Sequence, residues 1–300
     1  GYYAPVVHVL VNGREAADVS PFDTPKQIDS LVVTVTPGPQ FHFGTLALAP
    51  LAPQTVLPGG FVPGAVAEAG VIQTAVTAAV DRWRALGHAK AAVAAQDVVA
   101  DHPSAELAVD VAVEPGPVLR FGDVTVSGAE RMRVERVLAI AGIPAGVTYS
   151  PEIMDRAAER LRRSGVFSSV TLEEASAVTK PDLLGVNVAV SEARLHRYEV
   201  GAELASLDGA KLSALWLHRN LFGGGERLTF SGEVANIGAQ SSGLDYSLGV
   251  TLDRPATFDA DTNASLSLNF GHEDETDYVA DTFDAGVSVS HWFNKRLTGR

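Results

Sequence analysis

Hydrophobic and polar positions follow two different rules along this chain, and the change comes near position 196. Before it, stretches with helical apolar spacing are interleaved with short runs of strict alternation. In 66–86, Val66, Ala69, Ile72, Val76, Ala79, Val80, Trp83 and Leu86 keep a mostly 3–4 spacing, and in 151–163 Ile153, Ala157 and Leu161 share one face. Pro151 suits the first helical position, with Ser150 before it as the cap. A further helix fits 130–141 through Val134, Val137, Leu138 and Ala141. The alternating runs repeat: LVVTVTPGPQFHFGTLAL begins at Leu31, LAVDVAVEPGPVLRFGDVTV at Leu107 and LGVNVAVSEARLHRYEVGAEL at Leu184, 76 and 77 residues apart. Each passes straight into a second alternating strand. One unit therefore reads strand, helix, helix, strand, strand, an α+β module with a small sheet backed by two helices. Gly1 falls where the third element of such a unit belongs, so the first unit is expected to keep only its last two strands.

From His196 the helical spacing stops. Tyr198, Val200, Ala202 and Leu204 oppose Arg197, Glu199, Gly201 and Glu203. Similar alternation runs over 228–234, 244–252, 264–270 and 283–289, whereas KLSALWLHRNL (211–221) is muddier because Leu215, Trp216 and Leu217 are adjacent. Six strands are expected, with a seventh beginning near Arg296. Strands of about 8–11 residues edged by aromatics carry the pattern of an outer-membrane β-barrel, and a soluble antiparallel sheet with one buried face alternates identically. The connectors favour the barrel. LFGGGE and FNKR are short and NIGAQSSG and GHEDETDYVADT are longer, polar and acidic, so turns on one side and loops on the other are expected, although the middle link DRPATFDADT is longer than a minimal turn.

Composition narrows the function classes. The 300 residues carry a formal charge of −13, which argues against a nucleic-acid-binding surface, and 46% are hydrophobic, a globular proportion. Without cysteine there is neither a disulfide framework nor a thiolate zinc site. No apolar run of about 18 residues is present, which excludes a transmembrane helix. The start, GYYAPVVHVLV, has no initiator Met and no signal-peptide pattern, and is expected to be the start of a mature or excised segment. No G-x-S-x-G, P-loop, H-E-x-x-H or dinucleotide fingerprint occurs, so no enzyme and no cofactor is expected. His272 beside Glu273, Asp274, Glu275 and Asp277 is a candidate cation cluster that reads as a solvated acidic loop.

The module ends (GYYAPVVHVLV, VAVEPGPVLRFGDVTVSG, RRSGVFSSVTLEEAS) and the stretch RYEVGAEL…LHRNLFGGGERLTFSGEV resemble the POTRA-plus-barrel family of outer-membrane assembly and translocation proteins. Within it, the GYY start, the EPGP linker and NLFGGGERL are most similar to the TamA-like branch, with the BamA branch next. The resemblance implies tandem POTRA modules in the periplasm followed by an antiparallel transmembrane β-barrel in the bacterial outer membrane. It divides the chain into the end of a first module (1–37), a second (38–117), a third (118–194) and the first strands of a sixteen-stranded barrel (195–300). The closing strand and the family's lid-loop motif lie outside the segment. Also implied are a TamB-like inner-membrane-anchored partner, unfolded outer-membrane proteins and autotransporters as clients, and the lipid bilayer as surroundings.

Function would then rest on backbone pairing. An edge strand offers unpaired N–H and C=O groups to an incoming strand without sequence-specific side chains. The gate strand implied is Arg197, Tyr198, Glu199, Val200, Gly201, Ala202, Glu203 and Leu204, within about Arg197–Ser206. Gly201 either weakens this strand or eases barrel curvature. Gly223, Gly224 and Gly225 are expected to form the first periplasmic turn, between barrel strands two and three and beside the third module; a hinge role stays open. A BamA-type assembly factor, a two-partner secretion transporter and a soluble periplasmic binding module are the alternatives.

Overall fold

The computed structural model describes residues 1–300 apart from 4, 21, 23, 181, 240–242 and 295, and apart from the side chains of 178–180. Two compact units, Gly1–Val118 and Leu119–Arg300, make up the chain. In the first, β1 (Val6–Val11), β2 (Arg14–Glu15) and β3 (Leu31–Thr36) form an antiparallel sheet in the order β2–β1–β3. The second sheet holds β4 (His42–Ala49), β5 (Ala92–Asp101) and β6 (Glu106–Glu114), ordered β4–β6–β5 with β4 parallel to β6. Helix α1 (Ala69–Ala85) covers one face of it. Ile72, Ala75, Val76 and Ala79 pack there against Phe41, Phe43, Leu107, Val109, Val111 and Val113.

This module has one α-helix where two were expected. The stretch 50–68 carries Pro50, Pro53, Pro58 and Pro63, each lacking a donor and pushing the residue before it out of helical geometry. Phe61 supplies the missing packing, set edge-on to Phe43 with ring centres 5.9 Å apart. The helix before β5 also starts at Ala69 rather than 66.

The next module has both helices. β7 (Arg120–Ser127), α2 (Val134–Ala141), α3 (Pro151–Arg163), β8 (Phe167–Lys180) and β9 (Leu183–Glu192) follow in order, and the sheet is β7–β9–β8 with β7 parallel to β9. Phe121, Val137, Ile140, Leu161, Leu184, Val186 and Val188 form its core. Helix α3 begins at Pro151, but the Ser150 hydroxyl makes no capping bond; its carbonyl instead accepts from Ile153 and Met154.

One antiparallel sheet takes up the rest: β10 (His196–Ala205), β11 (Gly209–Arg219), β12 (Arg227–Ile237), β13 (Asp245–Arg254), β14 (Thr262–Asp274), β15 (Val279–Asn294) and β16 (Leu297–Gly299), paired in chain order. No pairing of β10 with β16 closes it among the described residues. The register sorts the two faces. Tyr198, Trp216, Phe230, Val250, Leu268 and Ala285 lie opposite one another in a row, as do Arg197, Leu217, Thr229, Thr251, Ser267 and Gly286 on the other face. The muddy stretch resolves accordingly: Trp216 joins the apolar face, while Leu215 and Leu217 sit on the polar one.

Connector lengths depart from expectation. Segments 220–226 and 255–261, at the end of the sheet beside the third module, are longer than 206–208 and 275–278 at the far end. Part of NIGAQSSG and part of FNKR lie outside the described residues. The acidic stretch is short as a loop because its residues extend the hairpin of β14 and β15. His272 Nδ1 lies 2.6 Å from Asp281 Oδ1 across the strands, the Tyr246 ring stacks on His272, and the Tyr278 hydroxyl donates to Glu273.

Candidate functional site

β10 pairs with β11 along its whole length, from His196 opposite His218 to Ala205 opposite Gly209, and with nothing else among the described residues. Its other edge therefore presents unpaired backbone groups. Tyr198, Val200, Ala202 and Leu204 line the apolar face, with Val200 and Leu204 each 86% exposed. Arg197, Glu199, Gly201 and Glu203 line the polar face, where Arg197 and Glu199 form an ion pair. A Cβ at Gly201 would come within 2.6 Å of Ser213 Oγ, directly opposite. The same relation holds between Gly249 and Ser231, Gly271 and Thr282, and Gly286 and Ser267. Gly201 is thus one of four glycines that make room for a hydroxyl on the polar face.

The lower end of β10 is fixed. Ala193 N–H donates to Val166 O, Arg219 N–H to Leu195 O, and the Arg219 guanidinium to Arg194 O at 2.8 Å. Trp216 Nε1 donates to His196 Nδ1 at 3.1 Å, and the two rings stack. Just upstream, Glu192 Oε1 accepts from the backbone N–H groups of Glu130, Arg131 and Met132, and Oε2 from Arg131 Nε at 2.7 Å. Burial pushes this carboxyl's pKa up, but the N–H groups of Met132, Arg131 and Glu130 and the Arg131 guanidinium together hold it below the ordinary glutamate value.

The glycine triplet lies between β11 and β12, against the start of α2. Gly224 N–H donates to Glu226 Oε2, Gly225 N–H to Asn220 Oδ1, and Leu221 N–H to Glu226 O. Gly223 O accepts from Arg133 N–H and Nε. Gly225 has φ +85°, open to glycine at little cost, and a Cβ there would lie 3.1 Å from Met132 Cε and 3.4 Å from Pro255 Cγ. Close approach of the module is what these glycines allow.

Four arginines complete this joint, and reading the sequence did not single them out. Arg136 donates to Gly224 O, to Ala256 O and, at 2.6 Å, to Pro255 O. Arg160 makes a two-pronged pair with Asp261 at 2.8 and 2.5 Å and also reaches Ala141 O and Gly142 O at the end of α2. The Arg163 guanidinium lies 3.6 Å over the Trp292 ring. Arg133 is the fourth, through Gly223. A signal was available: 131–163 holds seven arginines (131, 133, 136, 156, 160, 162 and 163) and no lysine, which suits carbonyl and carboxylate forks. No group of three or more His, Asp or Glu converges as a metal site among the described residues.

Residues 119–193 match the POTRA family model, described as a surface antigen variable number repeat. No curated protein matches the chain. Among solved structures it is similar to BamA from Haemophilus ducreyi lacking POTRA domains 1–3, with a TM-score of 0.68 at 13% identity over 86% of this chain and 49% of that one. It is also similar to CdiB from Acinetobacter baumannii, with a TM-score of 0.51 at 12% identity over 86% and 51%. The chain spans about half the length of either. At these identities the likeness is one of fold: POTRA-type modules leading into an antiparallel sheet of the barrel type.

Proposed function

We propose that this chain is part of an outer-membrane assembly factor, of the TamA-like kind, that receives outer-membrane proteins and autotransporters by strand pairing at β10. The observation that carries this reading is the free edge of β10 at the start of a sheet whose apolar face is bare. Beyond Val190, Ala256 is the one buried hydrophobic residue among those described, so the sheet has no core of its own. Hydrocarbon is the environment that satisfies such a face, and the backbone edge then becomes the reactive feature. The modules place further sheet edges on the periplasmic side, and a TamB-like partner anchored in the inner membrane would meet them there.

A second reading, suggested by the likeness to CdiB, is a two-partner secretion transporter, for which a substrate would pass along the polar face of the sheet. One experiment separates the two. These 300 residues contain no cysteine, so single cysteines at 197–206 and at the polar-face positions Ser231 and Ser267, introduced into the full-length protein with any cysteine outside this stretch replaced, give a disulfide scan against cysteine-bearing client strands in cells. Trapping along the β10 edge is expected. Trapping confined to polar-face positions such as Ser231 and Ser267 would favour transport, and no trapping at any position would overturn both.

A further inference from the structure

We propose that α2 and α3 clamp the third module onto two successive turns of the large sheet, that Arg136 positions both turns, and that the triglycine segment is a packed seat and not a hinge. Segments 220–226 and 255–261 are separate connectors, yet one guanidinium takes carbonyls from both: Gly224 from the first, Pro255 and Ala256 from the second. Arg160 holds the far end of the second connector through Asp261 while also capping α2. Asp261 O in turn accepts from Trp292 N–H, which brings in the end of β15. The approach is close from both sides. At Gly142, which ends α2 with φ +59°, a Cβ would fall 2.4 Å from Ala260 Cβ. In the triplet itself, the Gly224 and Gly225 amides are bonded to side chains and the Gly223 carbonyl to Arg133, so the polar groups a hinge would need to free are already engaged. None of these contacts involves a residue of β10, so the inference stands apart from the proposed function.

The test uses the full-length protein in lipid. Spin labels at Glu159→Cys and Asp208→Cys, both exposed sites, report the distance from α3 to the far rim of the sheet. A single narrow distance distribution is expected, and a broad or two-peaked one would overturn the clamp. Arg136→Met should broaden it and raise amide hydrogen exchange about tenfold or more at 221–226 and at 256–257 together, since both turns lose a shared anchor. Unchanged protection of both turns in that variant would refute the positioning role. Asp261→Asn serves where Arg136→Met does not assemble: it should loosen 259–262 and leave 221–226 protected. Equal loosening of both turns by Asp261→Asn would likewise refute separate anchoring by Arg136.

Discussion

Glu192, the last residue of β9, stands four positions before the large sheet begins, and its side chain is 6% exposed. One oxygen collects three consecutive N–H groups, from Glu130 to Met132, immediately ahead of α2. An oxygen in that cradle is worth most as an anion. Because its pKa is depressed on folding, the stability it contributes is present in full above the ordinary glutamate range and is lost as pH falls through the folded value. Asp261 is depressed as well, first by its bonds to Arg160, so the arginine joint weakens in the same acidic direction. Glu192→Gln should cost about 1.5–3 kcal/mol at neutral pH, the range for a hydrogen bond to a charged group. The variant should also flatten the acid limb. Urea unfolding of both proteins from neutral pH down into the carboxylate range checks this; equal loss of stability with acid in both would remove Glu192 from the account.

At the scale of elements, β5 and β6 show what local pattern reveals and what it hides. Alternation in 106–114 marks Leu107, Val109, Val111 and Val113 as the covered face, and they are buried. The partner strand and its register come only with the fold, and they set Asp97 directly opposite Asp110 on the exposed face, with Asp101 opposite Glu106. Like charges directly opposed weaken a strand pair. Asp110→Asn should therefore raise the urea midpoint of the protein, and an unchanged or lower midpoint would count against the pairing. Periodicity was similarly sufficient for α3, whose bounds Pro151–Arg163 follow from Pro151 and one apolar face. It was insufficient at 50–68, where prolines replace a helix, and at 211–221, where Leu215 and Leu217 occupy the polar face. The strand β10 could be read from its alternation. The joint between the third module and the turns of the sheet could not, because Arg133, Arg136 and Arg160 act on carbonyls and a carboxylate some 90 to 120 residues away.

For the whole molecule, the decisive question is what covers the apolar face of the large sheet. The row Tyr198, Trp216, Phe230, Val250, Leu268 and Ala285 crosses six strands unbroken, and the neighbouring row Val200, Ala214, Gly232, Leu248, Phe270 and Phe283 continues it. Leu268 is 41% exposed and Val287, in the row on the other side of it, 78%. A surface of this kind in water is an aggregation liability, whereas in a bilayer it is the solvent-matched side of the protein. The two cases predict different responses to charge. In a bilayer, Leu268→Arg places a guanidinium near mid-depth and should cost about 2–4 kcal/mol, while Ser267→Arg, one residue away on the polar face, should cost little. For a face bathed in water, a substitution at an exposed position should change stability by no more than about 0.5 kcal/mol, and the two variants should behave alike. Equilibrium urea unfolding of full-length variants from lipid vesicles distinguishes these outcomes. A large penalty confined to Leu268→Arg would assign the apolar face to lipid, and with it the free edge of β10 to the membrane plane, where an incoming strand would have to be received.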